Sequence, residues 1–202
     1  MEEHQSIARL QQGDIGGLEV LVRKYYLQAV RAAYLVVQDE ALAEDIVQTS
    51  FISLGQKIKQ FDDQREFRPW FFRSVINLAI SVCRQQKKNI SIDDETEYGD
   101  ESVVFERLSE ADPGLEENYI TEETRQAIWQ ALRQLSPAQR AAIVLRYYLE
   151  LSEDEMTQQL NRPKSTVKWL LFTARQKLRQ LLQPVQKFEN QPGTVLRDEE
   201  RI

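Results

Sequence analysis

Cysteine, histidine and glycine are scarce in this 202-residue chain, and each shortage excludes a class of protein. The single cysteine, Cys83, cannot form an internal disulfide and fits a reducing compartment, where we expect it in a helical core. One cysteine and one histidine, His4, cannot make a zinc site, and we expect no metal and no other cofactor. Seven glycines and six prolines leave long stretches free of helix breakers. The composition favours an all-α fold.

Long apolar runs are also absent. No segment approaches the ~18 consecutive apolar residues that a membrane-spanning helix requires. The first ten residues lack the basic and apolar regions of a signal peptide, so we expect a cytoplasmic protein that does not insert into membranes. No clustered nucleophile or metal-ligand set stands out, so the sequence offers no catalytic residue, no small-molecule substrate and no sign of an enzyme.

Acidic charge is concentrated in one stretch. The net charge of the chain is −6, but residues 93–123 hold thirteen carboxylates against Arg107 alone, so that everything outside this stretch sums to a net positive charge. Because the apolar residues of 93–123 show little periodicity, we predict that this stretch is a flexible acidic linker. It would join two small helical domains, 1–92 and 124–183, followed by a disordered tail at 184–202. The linker is either a solvated spacer or the occupant of a basic groove on a partner.

The pattern of residues 135–182 is typical of a helix-turn-helix. Ser136 and Ser152 are each followed three residues later by Gln or Glu, as at capped helix starts. Asn161-Arg162-Pro163 interrupts the chain before a long basic helix. The first turn of that helix would meet base edges and phosphates in a DNA groove. An ordinary helical hairpin would show the same pattern, but the basic charge of the segment favours DNA binding.

The first domain has a second candidate nucleic-acid surface. A helix after Pro69 has an apolar stripe made by Phe71, Val75, Leu78 and Val82. Aromatic and basic side chains lie off this stripe and beside a loop. Such side chains can stack on unpaired bases and bind the phosphate backbone of a single strand. An equally good interpretation is that the aromatic residues close the core and that the basic residues are solvated.

Three ordered motifs resemble one known family. They are AEDIVQTSF at 43–51; Phe61 followed by FRPWFFR at 67–73 and NLA at 77–79; and LSPAQR at 135–140 with LRY at 145–147 and TVK at 166–168. Together they resemble the sigma factors of the extracytoplasmic-function (ECF) type, in the sigma-70 family. The resemblance extends from about residue 19 to residue 182 and implies two helical domains joined by a linker.

The resemblance implies an alternative sigma factor that directs core RNA polymerase to promoters and helps to open them. Its implied partners are core polymerase, promoter DNA and an anti-sigma factor. The implied core-binding residues are Asp45, Ile46, Val47, Gln48 and Phe51. The implied contacts to the −10 element are Phe61, Asp62, Arg65, Phe67, Trp70, Arg73, Asn77 and Arg84. The implied contacts to the −35 element are Arg162, Lys164, Ser165, Thr166, Lys168 and Arg175. The linker would thread the basic cleft of the polymerase.

The last helix departs from the family pattern. After Lys168 the family usually continues Ser-Arg-Leu, whereas this chain has Trp169-Leu170-Leu171-Phe172. We expect weaker or altered −35 recognition, because one basic contact is lost and two aromatic side chains project from the helix. Two other functions remain open: an operator-binding regulator, which would usually dimerise on paired half-sites, and a DNA-processing enzyme with an attached DNA-binding domain.

Overall fold

Helices make up the fold throughout the part of the chain that the structure, a computed structural model, describes: residues 2–89 and 122–189. Residues 90–121, which hold most of the acidic stretch, and residues 190–202 lie outside it, and with them the predicted flexibility of the linker and disorder of the tail end. Residues 184–189, predicted to belong to that disordered tail, are helical instead. The helices are α1 (Glu2–Gln11), α2 (Gly17–Val37), α3 (Glu40–Lys57, continued by a 3-10 turn at Ile58–Gln60), α4 (Phe67–Asn89), α5 (Glu122–Arg133), α6 (Pro137–Ile143, continued by a π-turn at Val144–Tyr148), α7 (Glu153–Leu160) and α8 (Lys164–Glu189).

The predicted helix boundaries of the C-terminal half are confirmed. Ser136 and Ser152 each accept a hydrogen bond from the backbone N–H three residues on, and Gln139 and Glu155 complete two capping boxes. Asn161 ends α7 in the left-handed conformation, with φ of 48°. These local signals set the directions of α6, α7 and α8 because each satisfies backbone groups that a helix end leaves unpaired.

In the N-terminal half, α2, α3 and α4 pack around an aromatic core. Phe71 and Phe72 are completely enclosed, and the ring of Phe51 lies 4.5 Å from that of Phe71, centroid to centroid. Cys83 is buried, as predicted, with its sulfur 3.9 Å from the carbonyl oxygen of Val36. The short α1 packs against α2. This core fixes which faces of α3 and α4 point outward.

The two halves share one continuous hydrophobic core, which the prediction of two linked domains does not anticipate. The rings of Tyr34 in α2 and Trp129 in α5 stack with centroids 4.8 Å apart. The buried guanidinium of Arg140 donates to the carbonyl oxygen of Val36 at 2.7 Å and to that of Leu135 at 2.9 Å. In this conformation α6 and α7 therefore lie against α2 and α4.

Two further observations concern the described residues. None of the helices within 2–89 and 122–189 is long and apolar enough to cross a membrane. Over the same ranges, no group of three or more histidine, cysteine or acidic side chains is arranged to hold a metal ion.

Candidate functional site

One face of α3 is polar and exposed because the opposite face supplies the core. Asp39 caps the helix, accepting from the backbone N–H of Leu42 at 2.9 Å. Asp45 and Gln48 then lie on the outer face. Ile52 follows at the next helical position of the same stripe and is 70% exposed. Ile52 is not among the residues predicted to bind the polymerase, although an apolar residue out of phase with the core stripe signals an exposed contact in the sequence.

The three apolar members of the implied polymerase-binding set do not reach this face. Ile46, Val47 and Phe51 are buried in the core. A partner docking on the outside of α3 cannot touch them, so their part is to hold the helix in place. The structure thus separates the set into two side chains that a partner can contact, Asp45 and Gln48, and three that support them.

The loop before α4 rests on an aromatic cluster. Phe61 and Phe67 are buried, with ring centroids 5.7 Å apart, while the half-buried ring of Trp70 lies 5.1 Å from that of Phe61. For Phe61 and Phe67 the structure therefore favours the interpretation that they close the core. Trp70 is the member of the cluster that retains surface for a base.

Polar side chains continue outward from Trp70 along α4. Arg73, Asn77 and Arg84 are exposed and recur at helical spacing, so they form one stripe with Trp70. In the adjacent loop Asp62 accepts from the backbone N–H of Gln64 at 3.1 Å, and its carboxylate lies 3.4 Å from the guanidinium of Arg65. The stripe and the loop together form a polar surface in which Trp70 is the accessible aromatic side chain.

Carboxylates of α7 neutralise part of the basic first turn of α8. Lys164 donates to Asp154 at 2.7 Å, and the ammonium of Lys168 lies 3.8 Å from Glu153. The hydrogen bond and charge of Asp154 raise the pKa of Lys164 above its usual value. The hydrogen bonds from the Ser152 hydroxyl and backbone N–H lower the pKa of Glu155. The Lys164–Asp154 pair is exposed and Glu153 of the other pair is half-buried, so at this surface the pairs orient the cations while contributing little stability.

The remaining predicted DNA-contacting residues lie around that turn. Arg162 and Ser165 are exposed, and Thr166 is half-buried. Arg175, three turns along α8, is exposed and donates through Nε to the carbonyl oxygen of Leu171 at 3.2 Å. The structure therefore brings all of the implied −35 residues except Arg175 to one end of α8.

Exposed aromatic side chains follow on the same helix, as predicted. Trp169 is 60% exposed and Phe172 is 61% exposed. Tyr147, in the π-turn of the neighbouring helix, is itself 57% exposed. The neighbouring helix therefore does not cover these rings, and α8 presents basic and aromatic surface together.

Comparisons with known proteins identify the family of this chain. A family model for Sigma-70 region 2 matches residues 21–89, and one for Sigma-70 region 4 matches residues 125–178. The chain is 32% identical over 177 residues to the ECF RNA polymerase sigma factor SigW of Bacillus subtilis, covering 87% of this chain and 94% of that protein. It is 25% identical over 184 residues to the RNA polymerase sigma-H factor of Pseudomonas aeruginosa, covering 91% and 95%.

Among solved structures, CnrH in complex with the cytosolic domain of CnrY is similar, with a TM-score of 0.61 at 20% identity over 91% of this chain and 99% of that one. This likeness concerns the fold alone. The match to region 2 removes the support for an operator-binding regulator, because such a protein needs only the helix-turn-helix. The sequence matches cover the exposed face of α3, the stripe on α4 and the helix-turn-helix, and they show that this chain belongs to the ECF class of sigma-70 family RNA polymerase sigma factors.

Proposed function

We propose that three separate surfaces divide the work of this sigma factor. The outer face of α3 binds core polymerase, the stripe on α4 recognises and opens the −10 element, and the first turn of α8 recognises the −35 element. The observation that carries this assignment is that each surface is largely polar and open to solvent while the opposite face of its helix packs into the core. Polymerase performs the chemistry, and the chain acts without a catalytic residue or cofactor in a cytoplasmic setting.

On α3, Asp45 and Gln48 provide hydrogen-bonding groups and Ile52 provides an apolar contact between them and the helix end. An exposed isoleucine among polar residues gives a docking partner apolar area to bury, at ~25 cal/mol per Å². The polar pair then sets orientation. This combination of a central apolar anchor and a polar surround is typical of protein–protein interfaces.

On α4, Trp70 offers a ring face for stacking with an unpaired base, a contact that contributes ~1–3 kcal/mol in single-strand binding proteins. Arg73 and Arg84 track the phosphate backbone on either side of Asn77. On α8, Lys164 and Lys168 contact phosphates or base edges after exchanging their bonds to Asp154 and Glu153 for bonds to DNA. Because these ion pairs lie at the surface, the exchange has a low energetic cost.

Simultaneous recognition of both elements requires the two halves to separate. The −10 and −35 elements are about 25 base pairs apart, or ~85 Å along B-form DNA. A compact body of 202 residues has a radius of gyration of only ~17 Å. The 32 residues from 90 to 121 can span at most ~110 Å when extended. We therefore propose that the acidic stretch bridges the separated halves along a basic channel of the polymerase, and that an anti-sigma factor competes for the exposed surfaces.

Charge reversal at Asp45 tests the polymerase assignment. We expect Asp45→Arg to lower the affinity for purified core polymerase by roughly 30-fold or more, as the loss of a charged partner in an interface does, with unchanged helicity and melting. The matched control is Glu19→Arg, the same charge change on the exposed surface of α2. Equal affinities of the wild type and both variants in a competition assay would refute the assignment of α3.

A further inference from the structure

The N-terminal helix α1 reaches the loop that precedes α4. The side-chain amide of Gln11, the last residue of α1, lies within hydrogen-bonding distance of three acceptors about fifty positions further along the chain. Its Nε2 donates to the carbonyl oxygen of Phe61 at 3.1 Å, to the carboxylate of Asp63 at 3.1 Å and, more weakly, to the carbonyl oxygen of Ile58 at 3.4 Å. An amide has two N–H groups, so one of them is shared.

α1 is held firmly enough to act as a fixed support. Its Ile7 and Leu10 are buried in the common core. It also crosses α2 so closely that a Cβ on Gly17 would lie 2.3 Å from the carbonyl oxygen of Ser6. Arg9, in the last turn of α1, forms a 2.8 Å ion pair with Asp14 beyond the helix end, and Asp14 also accepts from the backbone N–H of Gly16. The amide of Gln11 is therefore presented from a rigid element.

The loop needs such a support because its own hydrogen bonds join near neighbours only. Asp62 accepts from the backbone N–H groups of Gln64 and Arg65, which closes a turn but does not attach the turn to the body of the domain. The side chain of Phe61 anchors the start of the loop in the core. Gln11 provides a polar attachment at the carbonyl oxygen of the same residue.

We propose that Gln11 is a positioning residue for −10 recognition: it sets the placement of the Asp62–Glu66 loop beside Trp70, and thereby the base preference of the opened strand. This inference rests on the proposed function of the α4 surface. Losing hydrogen bonds of this kind changes a conformational equilibrium by roughly five-fold. The loss should therefore appear as reduced discrimination between bases and not as unfolding, since the amide is only partly buried.

The test compares Gln11→Glu with Gln12→Glu, because the neighbouring Gln12 is exposed and both substitutions add one negative charge at the same end of α1. Gln11→Glu removes both donors and places a carboxylate beside Asp63, whereas Gln12→Glu changes charge alone. Gln11→Ala, which adds no charge, is the second variant. A promoter is first selected by wild-type holoenzyme from a randomised library, and fork-junction probes with a single-stranded −10 element are then made with each base replaced.

We expect the ratio of affinities for the preferred and replaced bases to fall about five-fold in both Gln11 variants. It should be unchanged in Gln12→Glu, and melting and core-polymerase affinity should be unchanged in all three. Unaltered ratios in the Gln11 variants, or a fall that merely follows lost core binding or lowered melting, would overturn the role of Gln11 while leaving the α4 assignment intact. A wild-type holoenzyme without any base preference on these probes would instead overturn the α4 assignment, and the role of Gln11 with it.

Discussion

The stack of Tyr34 on Trp129 gives a direct test of whether the two halves pack together in the free protein. The rings lie nearly parallel, with 14° between their planes and 4.8 Å between centroids, and both are buried. Aromatic pairs of this geometry contribute ~0.5–1.5 kcal/mol beyond their buried area. We expect a double-mutant cycle of Tyr34→Leu and Trp129→Leu to return a coupling of about that size in the free energy of unfolding.

The same pair should oppose assembly with polymerase. If the halves separate in the holoenzyme, the stack stabilises only the free, packed chain. Trp129→Leu should then raise the affinity for core polymerase by roughly 2- to 13-fold, the factor that corresponds to the coupling energy. Urea unfolding followed by circular dichroism measures the first quantity, and competition for core polymerase measures the second.

The control for both measurements is Trp169→Leu, a substitution of an exposed tryptophan in the same half. It should change neither unfolding nor core affinity. A coupling energy of zero would show that the halves do not stack in solution. A normal coupling with unchanged or lower core affinity would show that they stay packed in the holoenzyme, and the argument from promoter spacing would then be wrong.

Four further predictions concern DNA binding, anti-sigma capture and stability. Lys168→Ala should weaken promoter binding about equally across sequences and reduce the slope of log affinity against log salt concentration by about one. Trp169→Ala should leave melting unchanged and affect anti-sigma capture more than DNA affinity. Wild-type anti-sigma capture with lost −35 binding would place Trp169 on the DNA side. Ser152→Ala should lower the free energy of unfolding by ~1 kcal/mol. The pKa of Glu155 is lowered in the folded state, so the stabilisation by its charge is complete above the ordinary carboxyl pKa of 4.5 and is lost as the pH falls. The difference in free energy of unfolding between the wild type and Ser152→Ala should therefore shrink in acid. A difference that grows in acid would contradict the capping box. Gly17→Ala should cost ~1–3 kcal/mol, since its Cβ would meet the backbone of Ser6, and unchanged thermal melting would show that α1 does not lie against α2.

Local signals in the sequence predicted the helix ends well. Ser136, Ser152 and Asn161 act on backbone groups within three or four residues of themselves, so their effect does not depend on the rest of the chain. Apolar periodicity predicted only part of the core face of α4. Phe71 and Val75 are buried, whereas Leu78 and Val82 are half-buried, and the core face continues through Phe72, Ile76, Ala79 and Cys83. The exposure of Trp169 and Phe172 followed from the same argument, because both fall outside the stripe of Val167, Leu171 and Ala174.

Contacts between distant residues could not be predicted in this way. Whether Phe61 and Phe67 hold bases or close a core depends on their distance from Trp70 and Phe71, which periodicity does not encode. The amide of Gln11 meets the loop only because α1 crosses α2 at Gly17, and a glutamine at a helix end has many other uses. The packing of the two halves was also missed, since the acidic stretch between them suggested independent domains.

The interface between the halves is built so that opening it leaves few unsatisfied polar groups. When α2 and α6 separate, Arg140 loses its bond to Val36 but can keep its bond to Leu135, which belongs to its own half. The carbonyl of Val36 lies in the last turn of α2, where carbonyl groups lack helical partners and accept readily from water. The net loss for such an exchange is only ~1–3 kcal/mol. The aromatic stack adds a similar amount. The apolar surface that the shared core exposes on separation adds to both terms. The binding energy from a polymerase surface therefore has to offset apolar burial as well as these polar and aromatic contacts.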